Sequence, residues 1–160
     1  MSAVITFSES NGAGESVTDS LTNLNFGSTD APNLNTSSYP IVIGENSYEK
    51  YFRVKVGGSF TELSNMKIWK SAGTLLTGEV INAITNQAFA TPVVTTSIVA
   101  VSAIPTSVGS ALDIESTEGT ATKFTTAGYS KYIVAQTTST ISTPTGAGNQ
   151  KTLTVQWDEQ

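Results

Sequence analysis

The sequence predicts an all-β protein, an antiparallel β-sandwich or jelly-roll-like domain with long polar loops. Threonine and serine occur 25 and 20 times among 160 residues, and these residue types favour strands and turns respectively. Charged residues make up 13% of the chain, against about 25% in a typical domain, so the charged faces of long surface helices are missing. Short alternating apolar and polar stretches recur between turn formers, which indicates roughly eight to ten strands.

The first strand covers residues 3–7, where every second side chain is apolar. The segment Glu9–Ser38 that follows is rich in Asn, Ser, Thr and Gly, with Leu21, Leu24 and Phe26 as its apolar anchors. A loop of this length is uncommon in a compact domain unless it is functional, disordered or held by a partner. We therefore expect Glu9–Ser38 to be an extended polar segment that a partner orders.

The middle of the chain carries the clearest strand signals. Tyr39–Ile43 is predicted to open a second strand, with a turn at Gly44–Ser47. In the next strand apolar residues alternate with polar ones, namely Phe52, Val54 and Val56 against Tyr51, Arg53 and Lys55. This alternation predicts a sheet with one wet face. Met66 and Ile68 alternate with Lys67 and Trp69 in the strand after it, where Trp69 faces outward with Lys67 unless a bulge turns it inward. Glu79–Ile84 fits either a short strand or a helical turn, and it is assigned as a strand because the composition favours β-structure.

The second half continues this pattern. The run Ser97–Ile104 is apolar or small on both sides and is predicted to be a strand covered on both faces. Residues 105–122 are loop-like, with Leu112 and Ile114 as anchors.

Two strands close the chain. Ser130–Gln136 and Thr152–Asp158 are expected to pair as a hairpin around the polar segment Thr137–Gln150, with Leu153, Val155 and Trp157 facing the core. A single domain over residues 1–160 accounts for all of these elements.

Composition excludes several classes of function. The chain has no cysteine and no histidine, which removes disulfides, thiolate metal sites and the commonest acid–base residue. A net charge of −5 disfavours nucleic-acid binding, which needs clustered Lys and Arg. The first ten residues lack the basic and apolar regions of a signal peptide, and no stretch is apolar enough for a membrane span. We expect no cofactor, no metal, no nucleic acid and no membrane as partners.

Two groups of residues remain as candidate sites. Asp113 and Glu115 share a face if their segment is extended, the minimal geometry for glycosidic acid–base catalysis. The same spacing is common on solvated strands, so we expect no enzyme. Tyr48, Tyr51 and Trp69 could form an aromatic platform on the wet face, and together with Arg53 they are the predicted surface contacts. Packing in the core or at its rim is the competing interpretation.

Two stretches carry a resemblance to a known group of proteins. One is Phe89–Pro92 continuing to Ile104–Ser107. The other is Gly128–Gln136, sequence GYSKYIVAQ, continuing to Thr152–Glu159, sequence TLTVQWDE. Over about the last 70 residues the chain resembles small virion structural proteins of tailed bacteriophages. The resemblance implies a non-enzymatic β-rich subunit of the virion, assembled in the host cytoplasm, and it transfers no functional residue.

Three functions follow as hypotheses. The first is a capsid decoration or cement subunit whose partners are the major capsid protein, other virion subunits and further copies of itself, for example as a trimer. The second is a tail or baseplate subunit of the same particle. The third, from a different class, is a carbohydrate-binding β-sandwich module that uses Tyr51 and Trp69.

Overall fold

A computed structural model describes residues 2–86, 88–95, 102–115, 123–144 and 149–160. The all-β prediction is confirmed: within these ranges the chain forms ten strands and one short 3-10 turn at Val108–Ser110. The strands are β1 (Ala3–Asn11), β2 (Ser16–Asp19), β3 (Lys50–Gly58), β4 (Leu63–Ala72), β5 (Val80–Asn86), β6 (Leu112–Asp113), β7 (Lys123–Phe124), β8 (Gly128–Tyr129), β9 (Tyr132–Thr138) and β10 (Thr152–Glu159).

The strands form two antiparallel sheets. The six-stranded sheet has the order β2-β1-β3-β9-β5, and β8 pairs with β3 beside this path. The four-stranded sheet has the order β10-β4-β6, and β7 also pairs with β4. All the pairings are antiparallel, which agrees with a β-sandwich. The jelly-roll alternative stays a prediction.

One core joins the two sheets. The six-stranded sheet contributes alternate residues of β3, β5 and β9, and the four-stranded sheet contributes alternate residues of β4. The fully buried members are Phe52, Val54, Val56, Ala83, Ile133 and Ala135 from the first sheet and Leu63, Met66, Ile68 and Phe124 from the second. Trp157 packs against this core, as predicted, together with Leu153 and Val155. The alternation read from the sequence therefore gives the inward face of the central strands correctly.

The outward face of the six-stranded sheet is not uniformly wet. Residues 88–93 cross over it, so that Phe89 packs on Tyr51, with ring centroids 5.2 Å apart. The backbone N–H of Glu49 donates to the carbonyl of Val93 (2.9 Å) and fixes this crossing. Tyr51, Tyr132 and Val134 consequently form a second buried cluster. The prediction of a solvated face is wrong at Tyr51, because a distant segment covers it.

The predicted C-terminal hairpin is also wrong. β9 lies between β3 and β5 in the six-stranded sheet, whereas β10 pairs with β4 in the other sheet. The segment between them therefore passes from one sheet to the other. Within β10 the register of pairing with β4 shifts between Gln156 and Asp158. On β4 at this point, Asn65 adopts a positive φ of 53°, and its side-chain amide donates to Asp158 Oδ2 (2.5 Å).

Other predicted elements differ in detail. Tyr39–Ile43 is a loop and not a strand, since Pro40 lacks an N–H for a ladder and Glu45 N closes a turn onto Val42 O (3.0 Å). The Glu79–Ile84 strand is confirmed as β5 with shifted bounds. Of the Ser97–Ile104 strand, residues 97–101 lie outside the described residues, and Ala103 makes a single bridge to Asn82. Residues 116–122 and 145–148 of the two predicted loops also lie outside them.

The segment Glu9–Ser38 is largely organised by the chain itself. Its first residues complete β1, and Ser16–Asp19 form β2, which the sequence pattern did not predict. Leu24 and Phe26 pack against the core, and Leu34 is buried. The side chain of Asn33 accepts the backbone N–H of Thr22 (2.7 Å). The expectation that this segment is an extended loop is therefore wrong for its strand residues and its packed anchors.

A buried ion pair holds this segment against the sheet. Lys50 and Glu9 are 2% and 0% exposed, and Lys50 Nζ lies 2.7 Å from Glu9 Oε1. The same ammonium group donates to the carbonyl of Ala31 (2.7 Å). Asn11 Nδ2 bridges Glu9 and Asp30 at 2.8 and 2.5 Å. Two strands and the middle of the polar segment thus meet at one charged cluster inside the protein.

Burial raises the pKa of Glu9 above 4.5, and Lys50 and Asn11 only partly offset this effect. The folded protein therefore holds this proton more tightly than the unfolded chain does. The contribution of Glu9 to stability consequently falls as the pH rises from 4.5 towards the folded pKa.

Lys50→Met is expected to reduce the free energy of unfolding at neutral pH by about 3–5 kcal/mol, because it leaves Glu9 buried without its cation. Part of this loss should be regained as the pH falls towards 4.5, since Glu9 then takes up a proton. Urea unfolding at several pH values measures both effects. Glu9→Leu combined with Lys50→Met should restore much of the stability.

Lys55→Met is the matched control, because Lys55 pairs with Asp19 in solvent, with side chains 41% and 37% exposed. Its effect on unfolding should be small. Equal losses in the two single variants would contradict a structural role specific to the buried pair.

Candidate binding surfaces

The described residues contain no group of three or more His, Cys, Asp or Glu side chains that could hold a metal ion. Nor does any helix among them have the length and apolar character needed to cross a membrane. Asp113 is exposed on β6, while Ile114 beside it is fully buried and Glu115 is half-buried. The surfaces of the two sheets and their loops are therefore the features to consider for function.

The predicted aromatic platform does not form. Tyr51 is 1% exposed and lies under Phe89 on the six-stranded sheet, so it is not available as a surface contact. Trp69 lies on β4 in the other sheet, opposite Thr154. Tyr48 is half-buried, and its backbone N–H donates to Gly27 O (3.0 Å). Tyr51 and Trp69 thus lie on different sheets and cannot bind one ligand together.

Arg53 lies on the outward face of β3, between two tyrosine rings. Its guanidinium carbon is 4.1 Å from the ring centroid of Tyr129 and 4.4 Å from that of Tyr132. The nearest carboxylate is that of Glu15, 3.7 Å from Nη2. Tyr132 donates its hydroxyl to Glu15, and burial together with this hydrogen bond raises the pKa of Tyr132. We name Arg53, Tyr129 and Tyr132 the arginine clamp.

A surface ion pair lies next to the clamp. Lys55 Nζ is 2.5 Å from Asp19 Oδ2, and Asp19 also accepts from Ser8 (2.6 Å) and Tyr129 (3.1 Å). The hydrogen bonds from Lys55 and then from Ser8 lower the pKa of Asp19. This pair fixes the β1–β2 hairpin and the Tyr129 ring, which forms one wall of the clamp.

A shallow depression follows the outer strand of the four-stranded sheet. Its volume is about 340 Å³, and it is lined by Trp69 of β4 and by Thr154, Val155, Gln156 and Trp157 of β10. Within the described residues β10 has a strand neighbour on one side only. The depression therefore combines tryptophan, hydroxyl and amide groups beside an unpaired strand edge.

Three loops meet at one end of the sandwich and expose apolar side chains there. Val42, Ile43, Val80 and Ile141 are 64%, 41%, 40% and 92% exposed, and we name these four residues the apolar tip. Ser139 joins two of the loops, because its hydroxyl accepts Gly44 N (3.1 Å) and donates to Glu45 O (3.1 Å). Val80 pairs with Thr138 of β9, which also bridges to Asn46.

The loops of the apolar tip carry no charge over long stretches. Residues 31–44 and 137–150 contain no Asp, Glu, Lys or Arg. Gly78 has a φ of 76° and lies so close to Thr140 and Ser142 that a Cβ there would collide with them. The loop that contains Gly78 is thereby held against Thr140 and Ser142 of the Ser- and Thr-rich segment. Part of the predicted Thr137–Gln150 segment is thus fixed to its own domain while Ile141 stays in solvent.

Sequence reasoning identified Arg53 and Trp69 as surface residues but missed their neighbours. Tyr129 and Glu15 approach Arg53 from segments far away in sequence, so local alternation carries no signal for them. Ile141, in contrast, stands alone in a Ser/Thr/Gly segment that offers it no packing partner. That isolation was a readable indication of an exposed apolar contact.

The comparisons with known proteins found no match: no protein-family model, no curated protein and no solved structure is significantly similar to this chain. Function is therefore inferred from the residues and surfaces of the chain itself.

Burial and the nearby Glu49 carboxylate raise the pKa of Tyr51 to about 12. We expect the ultraviolet titration of the five tyrosines to include a late component with its midpoint near this pH, which Tyr51→Phe should remove. Stability should fall as the pH rises from 10 through about 12, because the unfolded chain releases this proton first. Ionisation of every tyrosine of the folded protein by about pH 10 would contradict the buried position of Tyr51.

Proposed function

We propose that this protein is a virion structural subunit of a tailed bacteriophage, and specifically a head decoration or cement protein that binds and stabilises the capsid lattice. The observation that carries the proposal is the apolar tip. An exposed group of large apolar side chains with a polar rim is typical of a protein–protein contact. The resemblance over the last 70 residues supports the same conclusion.

The tip is suited to docking on a repeating protein surface. Its loops are tied to one another through Ser139, Gly44 and Glu45, so part of the ordering cost is met before binding. Ile141 and Val42 are largely exposed in the free chain, and each such side chain contributes about 1.5–3 kcal/mol when fully buried. The absence of charge in residues 31–44 and 137–150 limits the desolvation cost of the contact.

Replacing both Val42 and Ile141 with serine is expected to weaken attachment to shells that lack this protein by about tenfold or more, because two apolar contacts are lost. The melting temperature should change little, since both side chains are exposed. Sedimentation of labelled protein with such shells measures the attachment.

Val108→Ser is the matched control, as Val108 is 46% exposed but lies in the 3-10 turn and is not one of the four residues of the apolar tip. It should bind as the unchanged protein does. Equal binding by the double tip variant and this control would overturn the tip as the docking surface.

A tail or baseplate subunit is the alternative within the same particle. Quantitative mass spectrometry of purified source virions separates the two by copy number. A number of copies close to that of the major capsid protein is expected for decoration. A number lower by an order of magnitude would instead support a tail or baseplate subunit. Complete absence from the particle would overturn both the decoration and the tail hypotheses.

A carbohydrate-binding module is a second candidate function, favoured by the depression beside β10. Indole rings stack on sugar rings, while the hydroxyl of Thr154 and the amide of Gln156 offer hydrogen bonds. The depression has the volume of a small-ligand site. The predicted partner Tyr51 is replaced in this proposal by Trp157.

For this candidate, a glycan panel should yield at least one ligand that changes the tryptophan fluorescence. Trp69→Ala should abolish that binding, whereas Val108→Ser should not. A panel with no ligand, or with ligands that Trp69→Ala still binds, would exclude the depression as a sugar site.

A further inference from the structure

Arg53 is the single arginine of the chain, whereas lysine occupies the other seven basic positions. It is also the residue that lies between two aromatic rings, at 4.1 and 4.4 Å from their centroids. A planar guanidinium group can stack on rings and still present its edge to a ligand, whereas an ammonium group has no plane and no fork of donors. The chemistry specific to arginine is therefore used at this one position.

The donors of Arg53 are poorly satisfied within the described part of the chain. Nε is buried and has no hydrogen-bond partner there. Glu15 Oε1 is 3.7 Å from Nη2, which is longer than a hydrogen bond. The side chain is only 17% exposed. Buried donors without an acceptor are rare in folded proteins, and each one calls for an explanation.

Glu15 is not committed to this cation. Its Oε1 atom already accepts the hydroxyl of Tyr132 and lies 3.5 Å from that of Ser10. It is 39% exposed and belongs to the turn between β1 and β2, where its φ is 52°. The neighbouring Lys55 is already paired with Asp19, with Nζ 2.5 Å from Oδ2. Within the described residues Arg53 thus has no carboxylate oxygen within hydrogen-bond distance, whereas Lys55 does.

We propose that the arginine clamp is a carboxylate-binding site, and that an acidic side chain of the subunit to which the protein attaches occupies it. A carboxylate in the plane of the guanidinium group can accept two parallel hydrogen bonds from it. It would take the place beside Nη2 that Glu15 approaches from 3.7 Å. The inference that the partner subunit supplies the carboxylate rests on the proposed function, whereas the inference that the clamp binds a carboxylate does not.

The site can be tested with sodium acetate and the purified protein alone. One arginine gives one Nε–Hε signal in a ¹H–¹⁵N spectrum. We expect this signal to shift saturably with acetate and not with sodium chloride at equal ionic strength. Glu15→Gln should bind acetate several-fold more tightly, because it removes the competing carboxylate. Equal shifts with acetate and chloride, or weaker acetate binding by Glu15→Gln, would overturn the site.

Whether the bound carboxylate belongs to the partner subunit is tested with the shells used for the tip variants. Arg53→Lys keeps the charge but loses the planar set of guanidinium donors, and it should attach several-fold more weakly. The control variant Lys67→Gln, on the other sheet, should attach normally. If Arg53→Lys attaches normally while the tip variant does not, the inference that a partner's acidic side chain binds the arginine clamp is overturned. The proposed function would still stand in that case. Failure of the unchanged protein to attach would overturn the proposed function, and the acetate titration would still decide the site.

Discussion

The structure depends on one buried charge pair, Lys50 with Glu9, at the end of the sandwich where the long polar segment returns. Both residues belong to strands whose neighbouring inward positions are apolar, so the pair occupies core positions. Hydrogen bonds from Asn11 and to the Ala31 carbonyl offset part of its desolvation, while Glu9 Oε2 is buried without a hydrogen-bond partner among the described residues. Since Ala31 and Asp30 are held there, the loops that follow are anchored at a fixed point.

Local pattern predicted the all-β class, the central strands and the inward residues of β3, β4 and β10. These features follow from alternation with a period of two, which any strand half-buried in a sandwich must show. Arg53 was placed outward for the same reason, whereas the facing of Trp69 depended on a strand register that the sequence does not show.

Pattern could not predict what depends on distant segments. Tyr51 alternates as an outward residue and does point outward, but Phe89 arrives from 38 positions away and buries it. Ser130–Gln136 and Thr152–Asp158 look like partners because they are consecutive strands, yet each pairs with a different sheet. Glu9 and Lys50 meet in the interior, and nothing in the sequence around either residue indicates this contact. Long-range pairing decides all three cases.

The ends of the chain lie together, at the edge of the sandwich away from the apolar tip. The backbone N–H of Ala3 donates to the side chain of Glu159 (3.0 Å), and Ala3 pairs with Gly58 at the far end of β3 from Lys50. A passenger peptide fused at either end would therefore project away from a surface contacted by the tip. For an array of such subunits on a shell, every passenger would face outward at the spacing of the lattice.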